Sequence, residues 1–349
     1  MNLVLSAITE FAAQEPKLYA FIIGLIGAAI LASVINVAAM AVVWLERKVM
    51  GDLQGRYGPN RVGGRWGILQ LGADAIKLFT KEDIIPRGAD KPVYVWAPIV
   101  ASATTMLVAG AMPFGAVIID GKEIPLVVAN MDISAFYVEA ALSIMAISAF
   151  MAGWSSNNKY SMLGAFRGIA RMIAYEVPMG VCVISVAIMA HSLNLVEIVQ
   201  AQQGIWFALA QPLGFVIFGI ALITDLGRMP FDQTEAEEEI IAGYNTEYSG
   251  IRFGLLYFQE YNMMLLGSVL LVLLFLGGWN GPVIPVISFI SPMIWFFMKL
   301  LIVLVALIWV RVSLLRFRID QVTDLGWKIL LPLSMVNLAW AVAVGLYFA

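Results

Sequence analysis

The stretch that decides the fold is LYAFIIGLIGAAILASVINVAAMAVVWL, residues 18–45, which runs for 28 residues without a charged side chain. A helix of this length measures about 42 Å at ~1.5 Å per residue, whereas the hydrocarbon core of a bilayer is ~30 Å thick. The segment is therefore predicted to cross a membrane as a long, tilted helix. Its length and the lack of a small-residue cleavage site argue against a removable signal peptide.

The rest of the chain has the same character. Of its 349 residues 61% are hydrophobic and 13% are charged, whereas soluble proteins carry roughly 25% charged residues. Helices suit such a chain because they satisfy their own backbone groups in lipid. We therefore predict an all-α polytopic membrane protein that forms a single membrane domain over residues 1–349. The further apolar runs that predict spans cover approximately residues 94–116, 134–153, 169–190, 205–226, 253–278, 289–310 and 329–348, which makes eight transmembrane helices in total.

The basic residues are distributed unevenly between the two sides of these spans. Of the 21 Lys and Arg residues, 18 lie in the alternate connections 46–92, 154–171, 228–252 and 311–328. The opposite connections hold only Lys17 and Lys122, and Lys299 falls inside a predicted span. Cytoplasmic loops carry the excess of basic residues in membrane proteins. The pattern predicts that the four basic connections are cytoplasmic and that both termini lie outside, in the periplasm if the source is bacterial.

The connection 46–92 is predicted to be a structured cytoplasmic loop that includes an interfacial helix. Its first part, WLERKVMGDLQGRYGPNRVGG (residues 44–64), has the Gly and Pro content of a loop rather than a helix. Its second part, RWGILQLGADAIKLFTKED (residues 65–83), is too short and too charged to span, but its apolar residues recur at helical spacing. An amphipathic helix at the membrane surface is predicted there. On the outer side, VIIDGKEIPLVV (residues 117–128) predicts a small β-hairpin around an Asp-Gly turn.

The connection 227–252 is acidic, and it begins GRMPFDQTEAEEEIIAGYNTEYSG. Asp232 followed three residues later by Glu235 has the form of a capping box. A helix over about 234–242 would place Glu235 and Glu239 one turn apart on one face, where like charges repel and raise each other's pKa. A solvated acidic loop is the alternative, but the close apolar neighbours Phe231, Ile240 and Ile241 argue against it.

Four acids lie within or at the ends of predicted spans: Glu139, Glu176, Asp225 and Glu260. An ionised carboxylate at mid-bilayer costs at least ~2.5–3.5 kcal/mol, so each is expected to face the protein interior. Each acid alone is compatible with a hydrogen bond between helices, and Asp225 with an ion pair to nearby Arg228. Their succession toward an acidic loop favours a proton relay.

The residues around Glu176, YEVPMG (residues 175–180), add a second signal. Pro178 and Gly180 are predicted to break or kink the fourth span, and broken helices beside acids line ion pathways in many transporters. In contrast, Cys182 and His191 are each the only residue of their type. No haem, iron–sulfur or zinc site is therefore expected in this chain.

Four long blocks of the sequence resemble a known family. They are ERKVMGDLQGRYGPNRVG (residues 46–63), GILQLGADAIKLFTKE (67–82), GWSSNNKYSMLGAFRGIARMIAYEVPMG (153–180) and DLGRMPFDQTEAEEEIIAGYNTEYSGIRFGLLYFQEY (225–261). The family is the quinone-facing membrane subunit of respiratory complex I, called the H subunit in bacteria and homologous to the mitochondrially encoded first subunit. With the eight-span topology, the resemblance extends over nearly the whole chain.

The resemblance implies roles for particular residues. It implies that the 62–80 helix and the loop after the fifth span border a quinone chamber, and that a file of acids leads from it toward antiporter-like subunits. The implied quinone-binding residues are Glu46, Arg47, Arg228, Phe231, Asp232 and Glu235. The implied proton-path residues are Glu176, Asp225, Glu260, Glu235, Glu237 and Glu239, with Glu139 a weaker match.

The resemblance also implies the setting of the chain. It would be a subunit of a proton-translocating NADH-quinone oxidoreductase in the bacterial inner membrane, with ubiquinone as the expected substrate. FMN and the iron–sulfur cluster would be carried by partner subunits. The implied partners are peripheral-arm, small membrane and antiporter-like subunits together with phospholipid, and no nucleic acid is expected.

Three alternatives remain at this point. A homologous subunit of a membrane-bound hydrogenase-type complex would share the fold and many of the acids, although the intact GRMPFDQTEAEEEI loop favours a quinone-reducing complex. A stand-alone transporter would also tolerate intramembrane acids, but no internal repeat of the kind many transporters carry is visible. A purely structural membrane anchor would not require the file of acids.

The charge asymmetry generates a topological prediction. Single cysteines introduced at positions 60 and 245 should resist a membrane-impermeant thiol reagent applied to intact cells, and the one at position 60 should react once the cytoplasmic side is opened. Modification of either position from the outer side would show that the predicted orientation is inverted.

Overall fold

A computed structural model describes residues 16–119, 122–282 and 288–348 of the chain. Seven helical segments in this part are long and apolar enough to cross a membrane, which confirms the prediction of an all-α polytopic membrane protein. They belong to helices α1 (Pro16–Leu53), α3 (Lys91–Ala111), α4 (Ser134–Ser155), α5 (Lys159–Ala190), α10 (Gly250–Phe275), α11 (Ser291–Ser313) and the C-terminal segment that ends in α13 (Leu331–Phe348).

Shorter elements connect these helices. They are α2 (Gln70–Thr80), strands β1 (Ala116–Ile119) and β2 (Lys122–Pro125), α6 (Leu195–Ala201), α7 (Phe207–Ala210), α8 (Pro212–Asp225), α9 (Glu237–Ile240), a 3₁₀ turn (Gly243–Asn245) and α12 (Ile319–Asp324), which leads through π-helical turns (Leu325–Leu330) into α13. The strands pair antiparallel with Ala116 opposite Pro125, which confirms the hairpin. Its Asp-Gly turn lies outside the described residues.

The fifth predicted span differs from the prediction. Residues 205–226 form the two short helices α7 and α8 instead of one, and the 14 residues of α8 extend only about 21 Å. The break falls at Gln211, whose φ of −135° and ψ of 70° are not helical. The cause is Pro212, because a proline disfavours the helical conformation in the residue before it. The side chain of Gln211 is buried and accepts a hydrogen bond from Asn337 of α13 at 3.2 Å.

The first helix is longer than its apolar run. Helix α1 continues to Leu53, so Glu46 and Arg47 lie on a helix, and the prediction of a loop for these residues was wrong. Charged side chains do not stop a helix once it has left the hydrocarbon, and α1 ends before Gly55, which has a positive φ of 66°. The helix predicted within residues 65–83 is present as α2, and none of its residues is buried. Its place at the membrane surface stays a prediction.

Helix α5 is continuous through Pro178, contrary to the predicted break. Proline cannot bond the carbonyl oxygen of the residue four positions earlier, which here is Ala174. Gly326 approaches that oxygen so closely that an added Cβ would lie 2.7 Å from it. The π-helical turns therefore pack against α5 at the carbonyl oxygen that Pro178 leaves without its helical hydrogen bond.

Helix α10 lies at the centre of the bundle. In the most apolar part of α10, 89% of the residues are buried inside the protein. The corresponding share is 22–56% in the other six membrane-crossing helices. Glu260 lies on this central helix. The acids of α4, α5 and α8 and the loop that follows α8 therefore surround a common interior.

Candidate functional site

The loop between α8 and α10 folds tightly onto α5. Gly243 has a φ of +52°, and a Cβ on it would lie 1.7 Å from the carbonyl oxygen of Thr234, so the two ends of the acidic segment cross at this point. A Cβ on Gly164 of α5 would lie 2.9 Å from the Cα atom of Gly243. The hydroxyl of Ser161 donates to the carbonyl oxygen of Gly243 at 3.1 Å. Glycine is required at these crossings because no side chain fits there.

Glu235 points into the protein from this loop. The amide of Asn245 donates a hydrogen bond to its Oε1 atom, and its own backbone N–H donates to Oδ1 of Asp232 at 3.3 Å. Burial, followed by the charges of Glu260 and Asp232, raises the pKa of the Glu235 carboxyl well above its usual value. Burial also raises the pKa of Asp232. Of the two, Glu235 is therefore the acid whose protonated form the folded loop favours more strongly.

Glu260 joins the loop to helix α10. Its Oε1 atom accepts a hydrogen bond from the hydroxyl of Tyr244 at 3.0 Å, and its Oε2 atom lies 3.3 Å from Nη2 of Arg228. The Arg228 guanidinium carbon is also 4.6 Å from the centroid of the Tyr261 ring, a cation–π distance. Arg228 pairs with Glu260, so the alternative in which it pairs with Asp225 was wrong.

Glu239 lies apart from this buried group. Its carboxylate binds Arg167 at 2.5 Å and Arg316 at 2.6 Å, and its side chain is 43% exposed. The hydrogen bond from Arg167 lowers the pKa of Glu239. The prediction that Glu235 and Glu239 lie together on one face of a helix was therefore wrong, because their surroundings differ.

The reason is that the predicted helix over 234–242 is reduced to α9. Ala236, with φ −51° and ψ 89°, interrupts the helical path just before it, so Glu235 turns inward while Glu239 faces outward. The side chain of Glu237 lies outside the described part of the structure. Its predicted place in the proton path stays a prediction.

A cavity of about 460 Å³ opens beside the loop. Three arginines contribute to its wall, together with two acids and aromatic residues of α10. The residues that carry this lining are Arg228, Asp232, Glu235, Tyr257, Arg311 and Arg316. Three of the predicted quinone-binding residues thus meet at one cavity.

The other three predicted quinone-binding residues have different positions. Glu46 is 3% exposed and forms an ion pair with Arg311, which itself lines the cavity. Arg47 binds Asp74 of α2 at 2.5 Å and thus links α1 to the interfacial helix. Phe231 is buried, with ring centroids 5.7 Å from Tyr175 and 5.6 Å from Phe317, and packs in the core.

Asp225 lies at the border of two further cavities. One, of about 60 Å³, is lined by Asp225 together with Arg171, Tyr244 and Glu260. The other, of about 10 Å³, is lined by Asp225 together with Glu139 and Glu176. The intramembrane acids are therefore brought together as one group that reaches from the loop into the bundle. Glu139 belongs to it, and both of its carboxylate oxygens are buried without a hydrogen-bond partner among the described residues.

Sequence reasoning missed several residues of this site. They are the cations Arg167, Arg171, Arg311 and Arg316 and the hydrogen-bond donors Tyr244 and Asn245. The available signal was the requirement that buried acids have partners. This requirement implies that some Arg or Lys side chains contact the acids. It does not identify them, because the partners are distant in sequence.

Known proteins are similar to this chain over most of its length. Residues 26–342 match the family model described as NADH dehydrogenase. The chain is 55% identical over 322 residues to the H subunit of F(420)H(2) dehydrogenase from Methanosarcina acetivorans, a match that covers 91% of this chain and 92% of the relative. It is 46% identical over 322 residues to an NADH-quinone oxidoreductase H subunit, numbered 2, from Syntrophobacter fumaroxidans, covering 90% and 95%. It is 44% identical over 293 residues to the NADH-quinone oxidoreductase H subunit of a Geobacillus species, covering 84% and 85%.

A bundle of seven helical segments long and apolar enough to cross a membrane, counted among the described residues, defines a multi-pass membrane protein. The match over most of the chain makes the assignment specific: this chain belongs to the NADH dehydrogenase family. It is a membrane subunit of a complex I-type oxidoreductase. The family resemblance inferred from the sequence blocks is thereby confirmed.

The raised pKa of Glu235 generates a prediction about the loop. The folded loop holds a proton on Glu235 at pH values where the opened loop, with a pKa of ~4.3, releases it. As the pH rises from ~4.3 toward the folded value, opening of the wild-type loop should become easier by up to about 1.4 kcal/mol per pH unit. Glu235→Gln does not titrate, so hydrogen exchange of residues 232–245 in the assembled complex should lack this trend.

Glu239→Gln serves as the matched control. The lowered pKa of Glu239 stabilises the folded loop above pH ~4.3, and this contribution is lost only as the pH falls through the lowered value. Exchange in Glu239→Gln should therefore follow the wild-type trend above pH ~5. Parallel pH profiles for wild type and Glu235→Gln would contradict the buried, proton-holding state of Glu235.

Proposed function

We propose that this chain forms much of a quinone-binding chamber and the first part of a proton path in a proton-translocating oxidoreductase. The cavity beside the loop would receive the quinone head group. The acids from Glu235 and Glu260 through Asp225 to Glu176 would carry protons, with Glu139 beside them. The observation that carries the proposal is the position of Asp225, which borders both the cavity of Glu260 and that of Glu176.

The chemistry of quinone reduction suits this chamber. Two electrons added to a quinone create negative charge that must be stabilised and then protonated. The guanidinium groups of Arg228, Arg311 and Arg316 line the cavity and would stabilise that charge, as fixed cations do at developing oxyanions. Glu235, whose pKa is raised by burial, would supply protons near neutral pH. A volume of about 460 Å³ lies in the usual range for ligand sites, ~300–1,000 Å³.

Protonation of the reduced quinone would start proton transfer along the acids. Loss of a proton from Glu235 leaves a carboxylate near Glu260, and the two charges interact. Coupled carboxyl groups titrate as a unit, so a charge change at the chamber would be felt by the next acid. The small cavity between Glu260 and Asp225 supports transfer through an intervening water, since a water needs polar partners and room.

The electron donor would bind to partner subunits that carry FMN and iron–sulfur clusters and dock on the cytoplasmic loops. NADH is the donor named for the relative from Syntrophobacter fumaroxidans. Reduced F420 is a second candidate, favoured by the 55% identity to the relative from Methanosarcina acetivorans. Oxidation of NADH and of reduced F420 by the purified complex separates the two. Hydrogen evolution without sensitivity to a quinone-site inhibitor would instead support the hydrogenase-type alternative.

The proposed orientation places both termini outside and the loops around Arg47 and Glu235 in the cytoplasm of a bacterial inner membrane. The proposal rests on the charge asymmetry of the connections. The outward face of α1 would contact lipid or neighbouring small membrane subunits, since Ile30, Val34 and Val37 are each 60% exposed.

The chamber can be tested with Arg228→Ala. Loss of the Glu260 ion pair and of a cation beside the quinone should lower the rate of ubiquinone reduction at least tenfold in the assembled complex. Electron transfer to an artificial acceptor that bypasses the quinone should be unchanged. Arg318→Ala is the matched control, because Arg318 is 75% exposed and pairs only with exposed Asp320 among the described residues. Equal quinone reduction in the two variants would remove Arg228 from the chamber.

The proton path can be tested with Glu176→Gln, which keeps shape and hydrogen-bonding capacity but cannot release a proton. A merely structural role predicts a cost near one hydrogen bond, about 1 kcal/mol, and full activity. A relay role predicts normal assembly, a strong loss of coupled quinone reduction and a loss of proton uptake in membrane vesicles. Glu139→Gln, the weaker family match, should lose less. Wild-type values for Glu176→Gln in all three assays would exclude Glu176 from the path.

A further inference from the structure

Arg171 of α5 lines the cavity that Asp225 and Glu260 share. Because Glu260 binds Tyr244 and Arg228 of the loop, it is counted here with Asp232 and Glu235 as a loop acid, and the membrane acids are Glu139, Glu176 and Asp225. The side chain of Arg171 is 7% exposed. The carboxyl groups of Asp225, Asp232 and Glu260 are near enough for their charges to act on the guanidinium. A permanent cation therefore stands where the loop acids meet the membrane acids.

The hydrogen bonds of Arg171 leave part of its guanidinium free. Its Nη1 atom donates to the carbonyl oxygen of Phe231 at 3.2 Å, whereas its Nε atom is buried without a partner among the described residues. Lys299 is also a buried cation, but its ammonium group has several hydrogen-bond acceptors. Its ammonium donates to the carbonyl oxygens of Leu276, Gly278 and Asn280 at 2.7, 3.1 and 2.7 Å. Lys299 is held by three carbonyl acceptors, whereas Arg171 lines a cavity and keeps a buried N–H donor without a partner among the described residues.

Gly227 brings this cation close to the chain. Its φ is +65°, and a Cβ on it would lie 3.0 and 3.1 Å from the Nη1 and Nη2 atoms of Arg171. The glycine thus lets the guanidinium approach the backbone two residues after Asp225. A methyl group at this position would push the guanidinium away without removing its charge.

We infer that Arg171 is a positioning residue that couples the loop acids to the membrane acids, because its guanidinium keeps its positive charge and can shift toward whichever side is ionised. The inference rests on the proposed proton path. When an acid on one side takes up a proton, its attraction for the guanidinium falls, and the attraction for the ionised acid on the other side dominates. Because charges in a protein interior interact more strongly than in water, protonation on one side favours the ionised form on the other. Arg171 would thereby pass charge changes from Glu260 to Asp225.

The test compares Arg171→Met with Arg171→Lys in membrane vesicles that contain the whole complex. The readouts are reduction of a short-chain ubiquinone, electron transfer to an artificial acceptor, and the number of protons taken up per electron. We expect normal transfer to the artificial acceptor in both variants. In Arg171→Met ubiquinone reduction should fall about tenfold and the proton-to-electron ratio should fall at least twofold, and Arg171→Lys should recover most of both.

A structural role for the planar guanidinium makes a different prediction. It predicts that Arg171→Lys fails as badly as Arg171→Met and that the proton-to-electron ratio of the residual activity is unchanged. Either result would overturn the inference. Lys299→Met is the matched control, since loss of that buried cation should lower the yield of complex and leave the ratio at the wild-type value.

Gly227→Ala keeps the inference testable if Arg171→Met does not assemble. The added methyl group displaces the guanidinium, so the proton-to-electron ratio should fall, and a wild-type ratio would overturn the inference. The outcome for Glu176→Gln separates this inference from the proton path itself. If Glu176→Gln is impaired while the Arg171 variants keep a wild-type ratio, only the role of Arg171 fails. Wild-type behaviour of Glu176→Gln would instead contradict the path on which the inference rests.

Discussion

A carboxylate taken out of water into a membrane protein must be given a partner or a proton, and the interior of this bundle is arranged around that requirement. Glu46 on α1 pairs with Arg311 on α11, and Glu260 on α10 pairs with Arg228 of the loop. These contacts join distant helices and the loop beside one cavity, which Arg228 and Arg311 both line. Glu139 has no hydrogen-bond partner for either oxygen among the described residues, so its ionised form would be a buried charge without compensation from them.

The same requirement divides the acidic loop into two parts with different duties. Glu239 remains partly exposed, and its two arginines attach the loop to α5 and to the segment after α11. Glu235 is turned inward to Asn245 and the neighbouring acids. The outer contact anchors the loop, and the inner one presents a titratable group to the cavity. A run of four glutamates in five residues thus supplies both a partly exposed ion-pair partner and a buried acid with a raised pKa.

Local features of the sequence predicted most of the fold. Apolar runs longer than ~17 residues with few charges mark membrane-crossing helices because of the cost of charge in hydrocarbon. Helix α2 and the hairpin follow from apolar spacing and turn residues. The prediction of one continuous helix for the fifth span was wrong because its apolar length was weighed without the effect of Pro212 on Gln211. The acids of the site were predicted because they are exceptional in apolar helices. Their partners were not, since pairs such as Glu46 and Arg311 are 265 positions apart and only tertiary packing brings them together.

The central claim is that acids of this chain change protonation when the quinone is reduced. Infrared difference spectroscopy of the assembled complex, recorded between its oxidised and quinone-reduced states, measures this directly through the C=O stretch of protonated carboxyl groups. If Glu235 and Glu176 change protonation, the wild-type difference spectrum contains carboxyl bands from both. Glu235→Gln should remove one set of these bands and Glu176→Gln another. A wild-type spectrum without carboxyl bands, or bands that both substitutions leave intact, would contradict the account.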